Sequence, residues 1–299
     1  MKGLQSKTWK RVGLGTLTLA STTLLMACGN KAASTDNKNE INWYTPTEII
    51  TLDVSKNTDR YSSLAIGNSG SNLLRVDAKG KLQPDLAEKV DVSEDGLTYT
   101  ATLRDGLKWS DGSDLTAEDF VYTWKRMVDP ATASEYAYLA TESHLKNAAD
   151  INAGKNTDLN SLGVKAEGNK VIFTLTEPAP QFKSLLSFSN FVPQKESFVK
   201  AAGKDYGTSS EKQLYSGPYT VKDWNGTSGT FKLVKNKNYW DAKNVKTQTV
   251  KVQTVKKPDT AVQMYKQGKL DFANISGTSA IYNACLLYTS DAADERSSV

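Results

Sequence analysis

Residues 97–104 constrain the fold more than any other stretch of the chain. Leu97, Tyr99, Ala101 and Leu103 alternate with Thr98, Thr100, Thr102 and Arg104. Successive side chains of a strand point to opposite faces, so this period of two predicts a strand with one buried face and one wet face. Asp95-Gly96 precedes the run, Asp105-Gly106 follows it, and Asp111-Gly112 comes shortly after. Asp-Gly pairs suit tight turns, so a hairpin is expected, with Asp105-Gly106 turning the chain into Leu107-Lys108-Trp109. A helix should begin at once. Thr116 is a fitting N-cap, and Glu118 and Asp119 put acids in the first turn, where the helix dipole favours them. Ala117, Phe120, Val121, Trp124 and Val128 share one face, which is the pattern of a core-facing stripe, and Pro130 stops the helix.

The remaining pieces mix both periods. Asn42-Trp43-Tyr44 starts a strand, Thr51-Leu52-Asp53 leads into a polar loop from Ser55 to Tyr61, and Leu82–Glu88 reads as a turn with a short helical piece. Strands are expected around Val171-Phe173-Leu175, Tyr219-Val221, Phe231-Leu233 and Val250-Val252-Val255, with another starting at Leu270-Asp271-Phe272. Asp259–Gln267 suits a helix, with Pro258 before it and Gly268 as its stop. Interleaved strands and helices define an α/β or α+β class.

The N-terminus carries its own signal. Lys2, Lys7, Lys10 and Arg11 form a basic region without acids, followed by an apolar stretch from Val12 to Met26. That length fits the core of a signal peptide and is short for a spanning helix. It ends in Leu25-Met26-Ala27-Cys28-Gly29, which resembles the lipobox of bacterial lipoproteins. By that resemblance residues 1–27 are a cleaved leader and Cys28 takes the lipid. Residues 28–41 are small and polar, and read as a flexible tether.

Charge and cysteine usage narrow the function classes. The formal net charge is +4, but four of the 37 basic residues lie in the leader, leaving 33 against 33 acids. A near-neutral mature chain gives no footprint for nucleic acid. With Cys28 lipidated, only Cys285 would remain, so no intramolecular disulfide is expected and the body must rely on its core. No metal site or cofactor is expected either: His144 is the only histidine, and no Gly-x-x-x-x-Gly-Lys-Ser/Thr loop is present. Ser143 precedes His144, which invites a catalytic reading, but no Gly-x-Ser-x-Gly elbow surrounds them and a solvated histidine is the plainer account. No catalytic residue is assigned.

The last stretch, Cys285-Leu286-Leu287-Tyr288-Thr289-Ser290-Asp291-Ala292-Ala293-Asp294-Glu295, breaks from the preceding pattern. It resembles the translation of a sequencing adapter, so residues 285–299 are expected to be non-native and the native sequence to continue beyond Ala284.

From about Trp43 to Gly277 the pieces, in this order, resemble the family-5 solute-binding proteins, the peptide receptors of ABC importers. The most specific part runs from Asp95-Gly96 through Trp109-Ser110-Asp111-Gly112 to Leu115-Thr116-Ala117-Glu118-Asp119-Phe120. Leu82-Gln83-Pro84-Asp85-Leu86-Ala87, Ser216-Gly217-Pro218-Tyr219 and Asn238-Tyr239-Trp240 support it. The run Asp129-Pro130-Ala131-Thr132-Ala133-Ser134-Glu135-Tyr136 points to the oligopeptide branch. The resemblance implies a two-lobed α/β fold of the periplasmic-binding-protein type II, with residues 42–284 forming the N-terminal lobe and the start of the hinge. It implies a monomer that captures an extended oligopeptide by hinge closure and hands it to permease subunits, touching the membrane only through its lipid. Tyr136 and the segment Thr58-Asp59-Arg60 match ligand-facing positions, with Asp59 placed to pair with a peptide amino group. Trp109, Trp124 and Gly217-Pro218-Tyr219 are expected to be structural. Ser71-Asn72-Leu73-Leu74-Arg75 departs from the Glu-Gly-Leu common in relatives. Sensing of signalling peptides, and a non-peptide cargo, stay open as alternatives.

Overall fold

The computed structural model describes residues 39–274; the leader, Cys28, Cys285 and the 285–299 tail lie outside the described residues. In chain order the elements are β1 (Glu40–Thr45), α1 (Arg60–Ser69), β2 (Leu74–Val76), β3 (Leu82–Pro84), β4 (Ala87–Val92), β5 (Thr98–Leu103), α2 (Ala117–Val128), α3 (Ala137–Glu142), α4 (Ala148–Asn152), β6 (Val164–Glu167) and β7 (Lys170–Thr174). Then follow α5 (Phe182–Leu185), α6 (Glu196–Ala202), β8 (Tyr219–Lys222), β9 (Thr230–Lys235), β10 (Thr249–Thr254) and α7 (Pro258–Lys266).

The alternating run is β5, an inner strand of an antiparallel sheet ordered β4-β5-β7-β6. Tyr99, Ala101 and Leu103 turn inward, as the period of two demands. Helix α2 covers that face. Its predicted stripe is fully buried, joined by Met127, and Trp124 lies 3.9 Å from the ring of Phe191 in a stacked pair. Asp119 accepts from the Thr116 backbone N–H at 2.9 Å, closing one arm of a capping box, and also from Trp109 Nε1 at 3.1 Å. At its other end Asp129 is extended, as the residue before Pro130 must be.

A second four-stranded sheet is ordered β1-β10-β9-β8, with β1 parallel to β10 and the other pairs antiparallel. Its inner side chains, Val221, Phe231, Leu233 and Val252, pack with Ala65 and Ile66 of α1. Each sheet thus has its own core. The segment 189–192 joins them: Phe191 belongs to the first core, and its neighbour Val192 to the second.

Three local expectations give way. Leu82–Glu88 forms β3 and the start of β4 instead of a helical piece, because β4 finds a partner in β5. Leu107-Lys108-Trp109 is not the hairpin partner of β5, whose two edges are already taken by β4 and β7; only Lys108 pairs, in an isolated bridge with Asp114. Leu270–Phe272 is no strand. Asp271 instead donates its N–H to the Asn42 carbonyl at 2.9 Å, and Phe272 stacks on Trp43 at 4.3 Å.

The motif residues read as structural are so. Trp109 and Trp124 are each 1% exposed. At Gly217 a Cβ would lie 2.7 Å from the Ser69 backbone, so the close approach to the end of α1 requires glycine.

Candidate functional site

The loop that enters α1 is buried through Val54 and alternates between inward and outward residues from Ser55 onward. Asp53, Ser55 and Asn57 are buried, whereas Lys56, Thr58 and Arg60 are exposed. Each inward residue is held from another part of the chain. Arg126 of α2 grips Asp53 with both arms, Nη1 to Oδ1 at 2.6 Å and Nη2 to Oδ2 at 2.7 Å. Gln194 accepts from Arg126 Nη1 at 2.7 Å and donates to Ser55 Oγ at 2.9 Å. Asn190 donates its amide to the carbonyls of Val54 and Asn57, at 3.2 and 2.9 Å. Burial opposes the Arg126 charge, but the bond to Asp53 and its charge outweigh this and raise the guanidinium above its ordinary value.

Asp59 ends the loop as the N-cap of α1. Its Oδ1 accepts from the N–H groups of Tyr61 and Ser62, at 2.9 and 2.8 Å. Its Oδ2 is buried and has no hydrogen-bond partner among the described residues. The polar loop therefore stops two residues earlier than expected, and Arg60 and Tyr61 already belong to the helix.

Tyr136 sits half-buried at the start of α3, its ring 5.8 Å from Phe188 and 6.0 Å from Tyr138. Phe188 directly precedes the segment that carries Asn190, and Asn72 fixes the Phe188 carbonyl at 2.9 Å. Segment 188–190 is thus the link between Tyr136 and the Thr58-Asp59-Arg60 loop. Tyr138 and Phe188 are partly open to solvent and form an aromatic ledge with Tyr136.

The sequence reading missed Asn190, Gln194 and Arg126. The one trace they leave is two amides bracketing the apolar Phe191-Val192 pair, and a charged residue on a helix whose core stripe lies elsewhere. Ser143 donates its hydroxyl to the Ala140 carbonyl at 2.9 Å, and the backbone of His144 sits in a left-handed turn. Among the described residues no cluster of three or more His, Cys, Asp or Glu could hold a metal, and no helix is long and apolar enough to cross a membrane.

A body of two sheets with separate cores, joined through segment 189–192, is part of a type II solute-binding fold. Residues 81–285 match the bacterial extracellular solute-binding proteins, family 5 Middle, and the chain belongs to that family. It is 45% identical over 276 residues to the dipeptide-binding protein of Lactococcus lactis subsp. cremoris (strain MG1363), covering 91% of this chain and 49% of that protein. The structure of Listeria monocytogenes OppA bound to peptide aligns with a TM-score of 0.78 at 35% identity, over 82% of this chain and 48% of that one. The pheromone receptor PrgZ aligns with a TM-score of 0.77 at 36% identity, over 82% and 48%. The chain spans about half the length of the curated relatives it matches. Membership places it among extracellular binding proteins rather than enzymes.

Proposed function

We propose that this chain is part of a receptor that captures extended peptides outside the cytoplasmic membrane and passes them to the permease subunits of an ABC importer. Its leader (1–27) is removed, Cys28 carries the lipid, residues 28–41 are the tether, and residues 42–284 form the first lobe and the start of the hinge. Residues 285–299 are foreign to the native protein. Thr58, Asp59, Arg60 and Tyr136 contact the peptide, and closure of a second lobe encloses it.

The observation that carries this reading is the join between loop and ledge through segment 188–190. It gives a peptide both polar groups and an aromatic surface on one stretch of the lobe. Likeness to OppA bound to peptide supports the ligand class. Peptide length is a separate matter, since the Thr132–Tyr136 run favours oligopeptides while the relative at 45% identity is a dipeptide-binding protein. A second reading, sensing of a signalling peptide, draws support from the likeness to PrgZ.

Mass spectrometry of ligands that copurify with the complete receptor tests the proposal. Peptides of mixed sequence support nutrient import, and one dominant peptide supports sensing. Stoichiometric recovery of a non-peptide solute sinks both. Metabolic labelling with a radioactive fatty acid tests the anchor: wild type is expected to take up label and Cys28→Ala none.

A further inference from the structure

We infer that Arg126 is a positioning residue for ligand capture: its two-armed grip on Asp53 fixes the register in which loop 53–60 presents Thr58 and Arg60 outward. The inference rests on the peptide-binding reading of that loop.

A buried ion pair is a poor device for stability, because desolvation offsets its Coulomb energy, and an apolar pair of equal size often serves better. What a two-armed pair supplies is direction. Here the donor belongs to α2 on the first core, and the acceptor precedes α1 on the second core. The fork fits both carboxylate oxygens, so Asp53 can neither rotate nor slide without losing a bond. The remaining contacts extend the grip along the loop in steps of two residues. Asp53 Oδ1 also accepts from the Ser55 N–H at 3.1 Å, Gln194 holds Ser55 Oγ, and Asn190 holds the Asn57 carbonyl.

The far side of Asp53 is equally fixed. Gly207 packs against its backbone so tightly that a Cβ would collide with it, and the Gly207 carbonyl accepts from the Leu52 N–H at 2.8 Å. The Tyr206 ring lies 5.1 Å from the Arg126 guanidinium, so the cation rests on an aromatic face. With inward residues clamped on alternate positions, the outward set has one orientation. A slip by one residue in either direction would carry Lys56 into a buried position and take the Asp53 carboxylate off the Arg126 fork. Ligand-facing atoms held this way meet the peptide without first losing loop entropy.

Hydrogen exchange on the full chain tests this without a ligand. The probes are the Ser55, Lys56 and Asp59 amides, each bonded within the loop, and the reference amides are those of β5 and β7. Variants are Arg126→Gln, Arg126→Lys and Gln194→Ala; the last leaves no buried charge unpaired and is the safeguard against misfolding. Arg126→Gln and Gln194→Ala should raise loop exchange about tenfold or more while β5 and β7 stay within about twofold, with Arg126→Lys between them. Loop exchange at the wild-type rate in Gln194→Ala and Arg126→Lys, or a rise shared equally with β5 and β7, overturns the inference. A binding arm uses a mixed tripeptide library read by mass spectrometry. If wild type captures peptide, Arg126→Lys should capture about fivefold less at an unchanged melting temperature; undiminished capture by a loosened loop overturns the positioning role. If wild type captures none, the peptide-binding reading fails, and the exchange result still decides whether Arg126 holds the loop.

Discussion

Asp59 has two separable tasks. As N-cap it needs an oxygen acceptor, which asparagine also supplies; toward a peptide amino group it needs a charge. Asp59→Asn is therefore expected to leave thermal unfolding nearly unchanged, while Asp59→Ala costs about 1 kcal/mol by chemical denaturation. If Asp59 meets an ammonium group, both variants lose affinity alike in calorimetry, which separates its binding role from its cap. Asp119 gives a different residue-scale prediction. Burial raises its carboxyl above the ordinary carboxylate range, and the bonds from Thr116 and Trp109 only partly oppose this. Its folded pKa exceeds its unfolded one, so this group favours the folded state as pH falls through the raised value and penalises it above. Both of its bonds reach one oxygen, Oδ2, so Asp119→Asn can keep them. The variant minus wild-type difference in unfolding free energy should therefore shrink as pH drops from neutral to ~4. At this scale the sequence revealed Asp119 through its place in a first turn. It hid Arg126, Gln194 and Asn190, because each contacts the loop at a residue at least 73 positions away.

Among the elements, β5 and α2 were legible because their periodicity is strong and their caps and turns are local. Strand β4 was not, since Ala87 and Glu88 lean toward a helix and only the partner strand decides otherwise. The misassigned hairpin has the same cause: Asp105-Gly106 does turn the chain, but both edges of β5 are occupied, by β4 and β7. Predictions at this scale follow from packing. Trp124 touches Phe173, Phe182 and Phe191, so Trp124→Ala should cost roughly 3–5 kcal/mol in urea denaturation. Gly217→Ala forces β8 away from the end of α1 and is expected to destabilise by about 1–3 kcal/mol in the same assay.

The whole molecule offers an open apolar groove of about 380 Å³ on the β1-β10-β9-β8 sheet, lined by Ile41, Trp43, Leu64, Tyr219, Leu233 and Val250 among others. Leu64 is 42% exposed, and Ile50 nearby in the chain is 70% exposed. Apolar surface of this kind binds reporter dyes and promotes association. The 299-residue chain alone is expected to enhance the fluorescence of an apolar dye and to self-associate in sedimentation velocity. A longer receptor of the relatives' length is expected to do neither.

Phe191 and Val192 are adjacent, yet their side chains enter different cores. One peptide unit therefore belongs to two packing systems, and neither can loosen there without disturbing the other. The two sheets are expected to melt together, giving one calorimetric transition whose van't Hoff and calorimetric enthalpies agree. Val192→Gly, which detaches one core from the shared unit, should split or broaden that peak. If the proposed closure of one lobe against another takes place, such thermal unity makes this portion a single rigid arm and concentrates flexibility elsewhere.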